Sequence, residues 1–189
     1  MQPRLILASG SPRRKELLEN VNIPFDVVVS EVEEVVDESL TPSEVVKSLA
    51  LQKAHDVAVK YPDSVVLGSD TVVVYEEQIL GKPENEEDSY RMLKMLSGHT
   101  HHVLTGVAII SDKETTTFYE KTEVTFWELS DQEIRTYIAS GEPADKAGSY
   151  GIQQLGSSLV KRINGDYFAV VGLPVARTIR ELRKFGFTY

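Results

Sequence analysis

The sequence of 189 residues contains no cysteine. Disulfide bonds, thiolate metal sites and a cysteine nucleophile are therefore excluded, and any metal would need oxygen or histidine ligands. Long apolar runs are also missing. A stretch such as Leu5–Ala8 is far too short for a membrane span or for the core of a signal peptide. We therefore expect a cytoplasmic protein.

Positive charge is scarce as well. The chain has 20 Lys and Arg against 29 Asp and Glu, which gives a formal net charge of -9. Bulk binding of nucleic acid depends on cations that face phosphates, so this balance argues against it. The hydrophobic share of 41% is typical of a globular protein, and the length allows a single domain with one core or with two lobes that share a sheet.

Strand-like and helix-like segments are interleaved along the chain, which predicts a mixed α/β sheet. Strands are predicted at 4–8, 25–29, 64–75, 79–80, 101–110 and 115–129, and helices at 15–20, 41–58, 85–97, 130–140 and from Pro174. Thr41 and Ser130 each begin a capping box that marks a helix start. The Asn164-Gly165 pair predicts a β-hairpin between 158–163 and 167–171.

The loop between the first strand and the first helix carries two serines and two arginines, Ser9-Gly10-Ser11-Pro12-Arg13-Arg14. Unpaired backbone N–H groups and the helix dipole favour anions at such a place, and guanidinium groups pair with phosphate oxygens. An ordinary helix start with solvated cations is the alternative. The Walker and dinucleotide-binding glycine motifs are absent from the sequence.

Two charged residues fall at positions where burial is predicted. Asp70 stands between two valine-rich runs, and a buried carboxylate is costly unless it is paired, bound to a metal or used as a base. The alternative is a turn at 68–70 in which Asp70 caps the backbone. Lys53 lies inside the apolar stripe of the helix at 41–58, where it could also extend its ammonium group to solvent.

Three further groups of residues are less specific. Glu33 and its acidic neighbours could supply metal ligands, although an acidic run after a strand is typical of a solvated edge. His101 and His102 are adjacent in a strand and therefore face opposite sides, which disfavours joint chelation. The loop at 150–156 could read a base by stacking and amide hydrogen bonds, or it is only a glycine-rich connection.

In this order, the motifs resemble the Maf family of nucleotide pyrophosphatases, also known as septum-formation inhibitors. The resemblance rests on LILASGSPRRKELL, GSDTVV, LGKP, LSGHTHHVLTGVA, DKAGSYGIQ and NGDYFAVVGLP, and it spans nearly the whole chain. It implies one Maf-like domain over residues 1–189. The implied fold is α/β and similar to inosine triphosphate pyrophosphatases, with a mixed elongated sheet bent between two α/β lobes and a central cleft.

The resemblance also implies an activity, the hydrolysis of a nucleoside triphosphate to the monophosphate and pyrophosphate with Mg²⁺ or Mn²⁺. Asp70 becomes the general base, and Glu33 with Asp70 the candidate metal ligands. The residues implied to bind phosphate are Ser9, Arg13, Arg14, Lys53 and Lys82. The pattern resembles the branch that acts on dTTP and UTP, standard or modified, with specificity carried by Arg13, Thr71 and Gln153.

The sequence leaves two other functions open. The septum name of the family keeps open a nucleotide-sensing regulator of cell division that acts through a protein partner without turnover. Single-strand nucleic-acid binding would need aromatic platforms interleaved with a basic face, whereas clustered cations occur only in the N-terminal loop. The resemblance further implies a homodimer, although no interface is visible in the residues.

Overall fold

The computed structural model describes residues 1–188. Its strands are β1 Arg4–Leu7, β2 Asp26–Val27, β3 Ser64–Tyr75, β4 Gln78–Leu80, β5 Thr100–Ile110, β6 Thr115–Phe126 and β7 Val160–Asn164. Its helices are α1 Pro12–Glu19, α2 Pro42–Ala58, α3 Glu86–Leu96, α4 Asp131–Ala139, α5 Tyr167–Val171 and α6 Val175–Leu182. Within this part of the chain, none of the helices has the length and apolarity needed to cross a membrane.

The strands of residues 1–188 form a seven-stranded mixed sheet, which confirms the predicted α/β class. The strand order is β2-β1-β3-β5-β6-β7, and β4 pairs with β3 off this path. Strand β1 runs parallel to both β2 and β3, whereas β4 is antiparallel to β3 and β7 is antiparallel to β6.

Contacts divide the chain into two compact units. The first unit consists of Met1–Asp70, Thr105–Glu120 and the segment from Gly172 onward, and the second consists of Thr71–Leu104 and Lys121–Val171. Strands β3, β5 and β6 contribute residues to both units.

In the first unit, helix α2 packs against β1, β3 and β5. The buried cluster consists of small and branched residues, Ile6, Ala8, Ala50, Ala54, Val57, Val66, Ala108 and Ile110. Two glycines allow the helix to lie very close to the sheet. A Cβ on Gly68 would lie 2.4 Å from the carbonyl oxygen of Ala50, and a Cβ on Gly106 would lie 2.3 Å from that of Val46.

In the second unit, α3 and α4 pack together over a larger apolar cluster that includes Leu93, Val124, Phe126 and Ile134. Both helix starts are fixed by side chains. Asn85 accepts a hydrogen bond from the Asp88 backbone N–H, and three acidic residues follow in the first turn of α3. The predicted capping boxes of α2 and α4 are both confirmed.

The hairpin predicted around Asn164-Gly165 is wrong. Strand β7 pairs with β6, and the chain then enters helix α5. The side chain of Asp166 caps this helix, because its Oδ1 accepts hydrogen bonds from the backbone N–H groups of Phe168 (2.8 Å) and Ala169 (3.3 Å). The Asn-Gly signal depends only on the local sequence. The pairing of β7 with β6 and the helix cap formed by Asp166 decide the structure instead.

Candidate functional site

Asp70 lies within a continuous strand, so its alternative role in a turn is wrong. Strand β3 runs without a break from Ser64 to Tyr75, and Asp70 is only 9% exposed. Its Oδ1 accepts a hydrogen bond of 2.7 Å from the Nζ of Lys53. The Lys53 side chain is 18% exposed, and its ammonium group is therefore committed to an ion pair that is largely shielded from water.

The close packing of α2 explains why Lys53 reaches Asp70. Gly68 and Asp70 are two residues apart in β3 and share a face of the sheet. Gly68 lies directly under Ala50 and Ala54, and Ala54 follows Lys53 in the helix. The bare backbone at Gly68 thus allows the helix turn that carries Lys53 to approach the carboxylate.

A second carboxylate joins this pair from the acidic segment after β2. Glu34 Oε1 lies 3.1 Å from the Nζ of Lys53. The segment is fastened to α2 by Gln52, whose amide oxygen accepts a hydrogen bond from the Val35 backbone N–H and whose amide nitrogen donates to the Val35 carbonyl, both at 2.9 Å. Asp56 fastens the same segment at Glu31, whose backbone N–H donates to it at 3.0 Å.

These anchoring residues were missed in the sequence. Glu33, the predicted metal ligand, is exposed, whereas the neighbouring Glu34 contacts Lys53. Gln52 and Asp56 are polar residues four positions apart that flank Lys53 on α2. Their spacing was the only signal that this face of the helix holds another segment.

The serine hydroxyls organise the loop before α1. The Ser11 hydroxyl caps the helix by accepting a hydrogen bond from the Arg14 backbone N–H. The Ser9 hydroxyl is buried and accepts from the Ser11 N–H at 3.2 Å and from Nη1 of Arg14 at 3.4 Å. The loop is therefore shaped by its own side chains, and Arg13 beside it is partly buried.

Arg14 is held from its other side by a glycine carbonyl. Its Nε donates a hydrogen bond of 2.7 Å to the oxygen of Gly172, and the buried Ser69 hydroxyl donates to the same oxygen at 3.1 Å. Burial lowers the pKa of the Arg14 guanidinium group, and the negative charge of Asp70 partly opposes this shift. Arg14 thus belongs electrostatically to the same site as Asp70, and it stays cationic at neutral pH.

Thr71, Lys82 and Gln153 belong to the second unit. Lys82 is exposed after β4, and Gln153 is partly buried. The Gly81 carbonyl accepts a hydrogen bond of 3.0 Å from the Gly148 N–H, which joins the Lys82 segment to the chain that leads to Gln153. Gly148 has a φ of 69° and packs on Val73, so a side chain there would be strained.

The two adjacent histidines face opposite sides of β5, as predicted. His101 is fully buried, and its Nε2 lies 2.6 Å from the hydroxyl of Tyr150. His102 is partly exposed, and its Nε2 lies 3.6 Å from Oε1 of Glu123. Among residues 1–188, no group of three or more His, Asp or Glu side chains is placed to hold a metal ion. Protein ligands alone therefore do not form a metal cage in the described part of the chain.

The buried His101 predicts that the protein loses stability in mild acid. Burial lowers the pKa of His101 from 6.5 to about 3, so between these values the unfolded chain binds a proton that the folded chain does not. The free energy of unfolding therefore falls as pH drops below 6.5, by about 2 kcal/mol from this group between pH 7.5 and pH 5. Urea denaturation at both pH values measures the difference.

The matched variants for this measurement are His101→Gln and His55→Gln. His55 is exposed on α2, so His55→Gln controls for the exchange of an imidazole for an amide outside the core. His101→Gln should lose about 2 kcal/mol of the wild-type pH dependence, because the titrating group is gone. An unchanged dependence in His101→Gln would contradict the assignment.

In the first unit, the structure brings together a loop with two hydroxyls and two guanidinium groups, an ammonium group and a buried carboxylate, namely Ser9, Ser11, Arg13, Arg14, Lys53 and Asp70. The cations and the N-terminus of α1 suit a ligand with several negative charges. A carboxylate such as that of Asp70 has the chemistry to accept a proton. The chemistry that fits is hydrolysis of a polyanion.

Comparison with known proteins agrees with this chemistry. The family model described as "Maf-like protein" matches residues 4–185. A protein of Bacillus cereus (strain B4264) is 62% identical over 96% of this chain and 95% of its own, and one of Bacillus mycoides (strain KBAB4) is 61% identical with the same coverage. Both are named dTTP/UTP pyrophosphatase. Among solved structures, the Ham1 protein of Staphylococcus aureus aligns with a TM-score of 0.45 and 16% identity, covering 65% of this chain and 71% of its own.

Proposed function

Because this chain belongs to the Maf family, we propose that it hydrolyses dTTP and UTP to the monophosphate and pyrophosphate. Relatives with this name share 61–63% of their residues with it over nearly their full length. The observation that carries the proposal is the buried Asp70, held by Lys53 in the same unit as the SGSPRR loop. A base next to cations is what hydrolysis of a triphosphate requires.

Each residue has a distinct role in the proposed reaction. Asp70 takes a proton from water, whose oxygen attacks the α-phosphorus, and the bond from that phosphorus to the bridging oxygen breaks. Pyrophosphate leaves with the bonding electron pair. The developing charge on its oxygens is stabilised by cations, namely Arg13, Arg14, Lys53 and Lys82. Ser9 supports the phosphate loop through its hydrogen bonds to Ser11 and Arg14.

Base selection falls to Arg13, Thr71 and Gln153 in this proposal. The amide of Gln153 can donate to O4 of uracil or thymine and accept from N3–H. Cytosine presents the reverse pattern, an amino group at position 4 and an unprotonated N3, so the same amide orientation cannot pair with it. Discrimination against CTP is therefore the sensitive measure of this role.

A divalent cation is part of the proposal, and the donor chemistry fits one. Mg²⁺ binds through one or two carboxylates together with substrate phosphates, and it does not require a cage of protein ligands. Asp70 and Glu33 would hold the cation, which when bound would neutralise charge on the phosphates. Glu34 is instead the counter-ion of Lys53, because their contact is direct at 3.1 Å.

These two roles predict different responses to Mg²⁺. Glu33→Gln should raise the Mg²⁺ concentration for half-maximal activity about tenfold, because one ligand of the cation is lost. Glu34→Gln should leave that concentration within twofold of the wild-type value and change kcat/KM instead. Titration of Mg²⁺ after removal of metal with EDTA measures both. A larger Mg²⁺ shift in Glu34→Gln would exchange the two assignments.

The function is tested by incubating the wild-type protein with Mg²⁺ and each of the nucleoside triphosphates dTTP, UTP, CTP, ATP and GTP. Pyrophosphate and orthophosphate are measured separately, because cleavage between the α- and β-phosphates releases pyrophosphate, whereas cleavage between the β- and γ-phosphates releases orthophosphate. Pyrophosphate from dTTP and UTP, at a rate well above that from the other three, is the expected result. Binding of dTTP without any turnover would overturn the proposal and favour a nucleotide sensor.

A further inference from the structure

The loop Gly151–Gly156, which presents Gln153, is closed by two side chains that the proposed reaction does not use. The Tyr137 hydroxyl accepts a hydrogen bond of 3.1 Å from the Gly151 N–H at the start of the loop. Glu142 accepts at its other end, from the N–H of Leu155 at 3.1 Å and from that of Gly156 at 3.0 Å. Tyr137 and Glu142 thus contact both ends of the loop.

The two side chains are also joined to each other. The Tyr137 hydroxyl donates to Oε1 of Glu142 at 2.9 Å. Tyr137 is buried in α4 and belongs to the apolar cluster of the second unit, so its ring is fixed by packing. The backbone of Glu142 is fixed as well, since its N–H donates to the Ser140 hydroxyl and its carbonyl accepts from Lys146. We call Tyr137 and Glu142 the loop clasp.

The loop itself has a shape that would not persist without such support. Gln154 has a φ of 50°, a left-handed conformation that non-glycine residues rarely adopt. A Cβ on Gly156 would lie 1.8 Å from the Gly151 carbonyl oxygen, so the two ends of the loop touch through bare backbone. Backbone in an uncommon conformation persists when surrounding contacts determine it, and the loop clasp provides those contacts.

We infer that Tyr137 and Glu142 are positioning residues for base selection, because they hold the loop in the one conformation that presents Gln153 to a uracil or thymine ring. This inference rests on the proposed function, in which Gln153 reads the base. Neither residue touches the base in this assignment. Their effect is to fix the amide orientation before the nucleotide binds, so that binding does not have to order the loop.

The expected result is a loss of base selectivity with little loss of kcat. In Tyr137→Phe and in Glu142→Gln, KM for UTP should rise about tenfold while kcat stays within about threefold, and kcat/KM for CTP should change little. The ratio of kcat/KM for UTP over CTP should therefore fall about tenfold. In the Gln153→Ala background, Glu142→Gln should have almost no further effect on this ratio, because the group that it positions is already absent.

The control is Tyr90→Phe. Tyr90 also lies in the second unit, and its hydroxyl donates to the carboxylate of Asp131 at 2.7 Å, so the change removes the same kind of bond away from the loop. This variant should keep the selectivity of the wild type. A general loss of stability would lower the activity of all variants alike, whereas the loop clasp predicts a change in selectivity for two of them.

Amide hydrogen exchange tests the loop clasp without any assay of turnover. The amides of Leu155 and Gly156 should exchange at least tenfold faster in Glu142→Gln than in Tyr90→Phe, and the amide of Gly151 should do so in Tyr137→Phe, because each variant alters the acceptor of those amides. Unchanged exchange, or faster exchange with an unchanged ratio of UTP to CTP, would overturn the inference. Absence of pyrophosphate release by the wild type would overturn the proposed function instead, and the exchange result would still decide whether the clasp holds the loop.

Discussion

Asp70→Asn is expected to lower kcat for UTP about a thousandfold, which is within the usual contribution of a general base. Asparagine has nearly the shape of aspartate and can still accept a hydrogen bond from Lys53, so the strand and the site should persist. The variant cannot take a proton from water, however. Binding of dTTP measured without a divalent cation should be retained or strengthened, because a negative charge has been removed from a site for a polyanion.

Single-turnover measurement of pyrophosphate release gives the chemical step directly, and titration of dTTP gives binding. Asp63→Asn is the matched control, because Asp63 is exposed just before β3 and the chemical change is the same. It should keep wild-type kcat. A kcat for Asp70→Asn within tenfold of the wild-type value would show that another group activates the water.

Gly68→Ala is expected to destabilise the protein strongly for so small a change. The added methyl group would lie 2.4 Å from the carbonyl oxygen of Ala50 and 2.9 Å from the backbone nitrogen of Ala54, and neither backbone atom can move without shifting α2. We expect the free energy of unfolding to fall by about 3 kcal/mol, and Tm by about 6–12 °C. Thermal and urea denaturation measure the two quantities.

The activity of the folded Gly68→Ala protein should also fall, because the shift of α2 draws Lys53 away from Asp70. Gly81→Ala serves as the control for stability. No atom lies within 4 Å of the position that its Cβ would take, while the effect of alanine on the unfolded chain is the same. It should stay within about 0.5 kcal/mol of the wild type. Equal stability of the two variants would contradict close packing at Gly68.

Local chemistry is what made parts of this fold predictable from sequence. The helix starts at Thr41 and Ser130 are decided by hydrogen bonds within four residues, and those capping boxes form as predicted. The Asn164-Gly165 signal is equally local, yet it failed, because Asp166 caps a helix that the pair of residues does not report. A local signal therefore predicts a secondary-structure element only where no stronger local or tertiary interaction favours a different one.

The buried charges also show what the sequence predicts and what it leaves open. The sequence by itself indicated that Asp70 and Lys53 lie in apolar surroundings, since strand and helix periodicity specify which positions face a core. It left open whether each charge has a partner. That pairing depends on the distance between α2 and β3, which the bare backbone at Gly68 and Gly106 makes short.

Sequence periodicity thus determined the mixed α/β class and most element positions, and it predicted burial at Asp70 and Lys53 beside the alternatives of a turn and of an ammonium group that reaches solvent. Only the tertiary structure decided that Lys53 pairs with Asp70, that Glu34 and not Glu33 reaches Lys53, and that Tyr137 and Glu142 close the loop around Gln153. The physical reason is that such contacts join residues many positions apart. Their geometry depends on how closely whole elements pack, and no pattern within one segment records that distance.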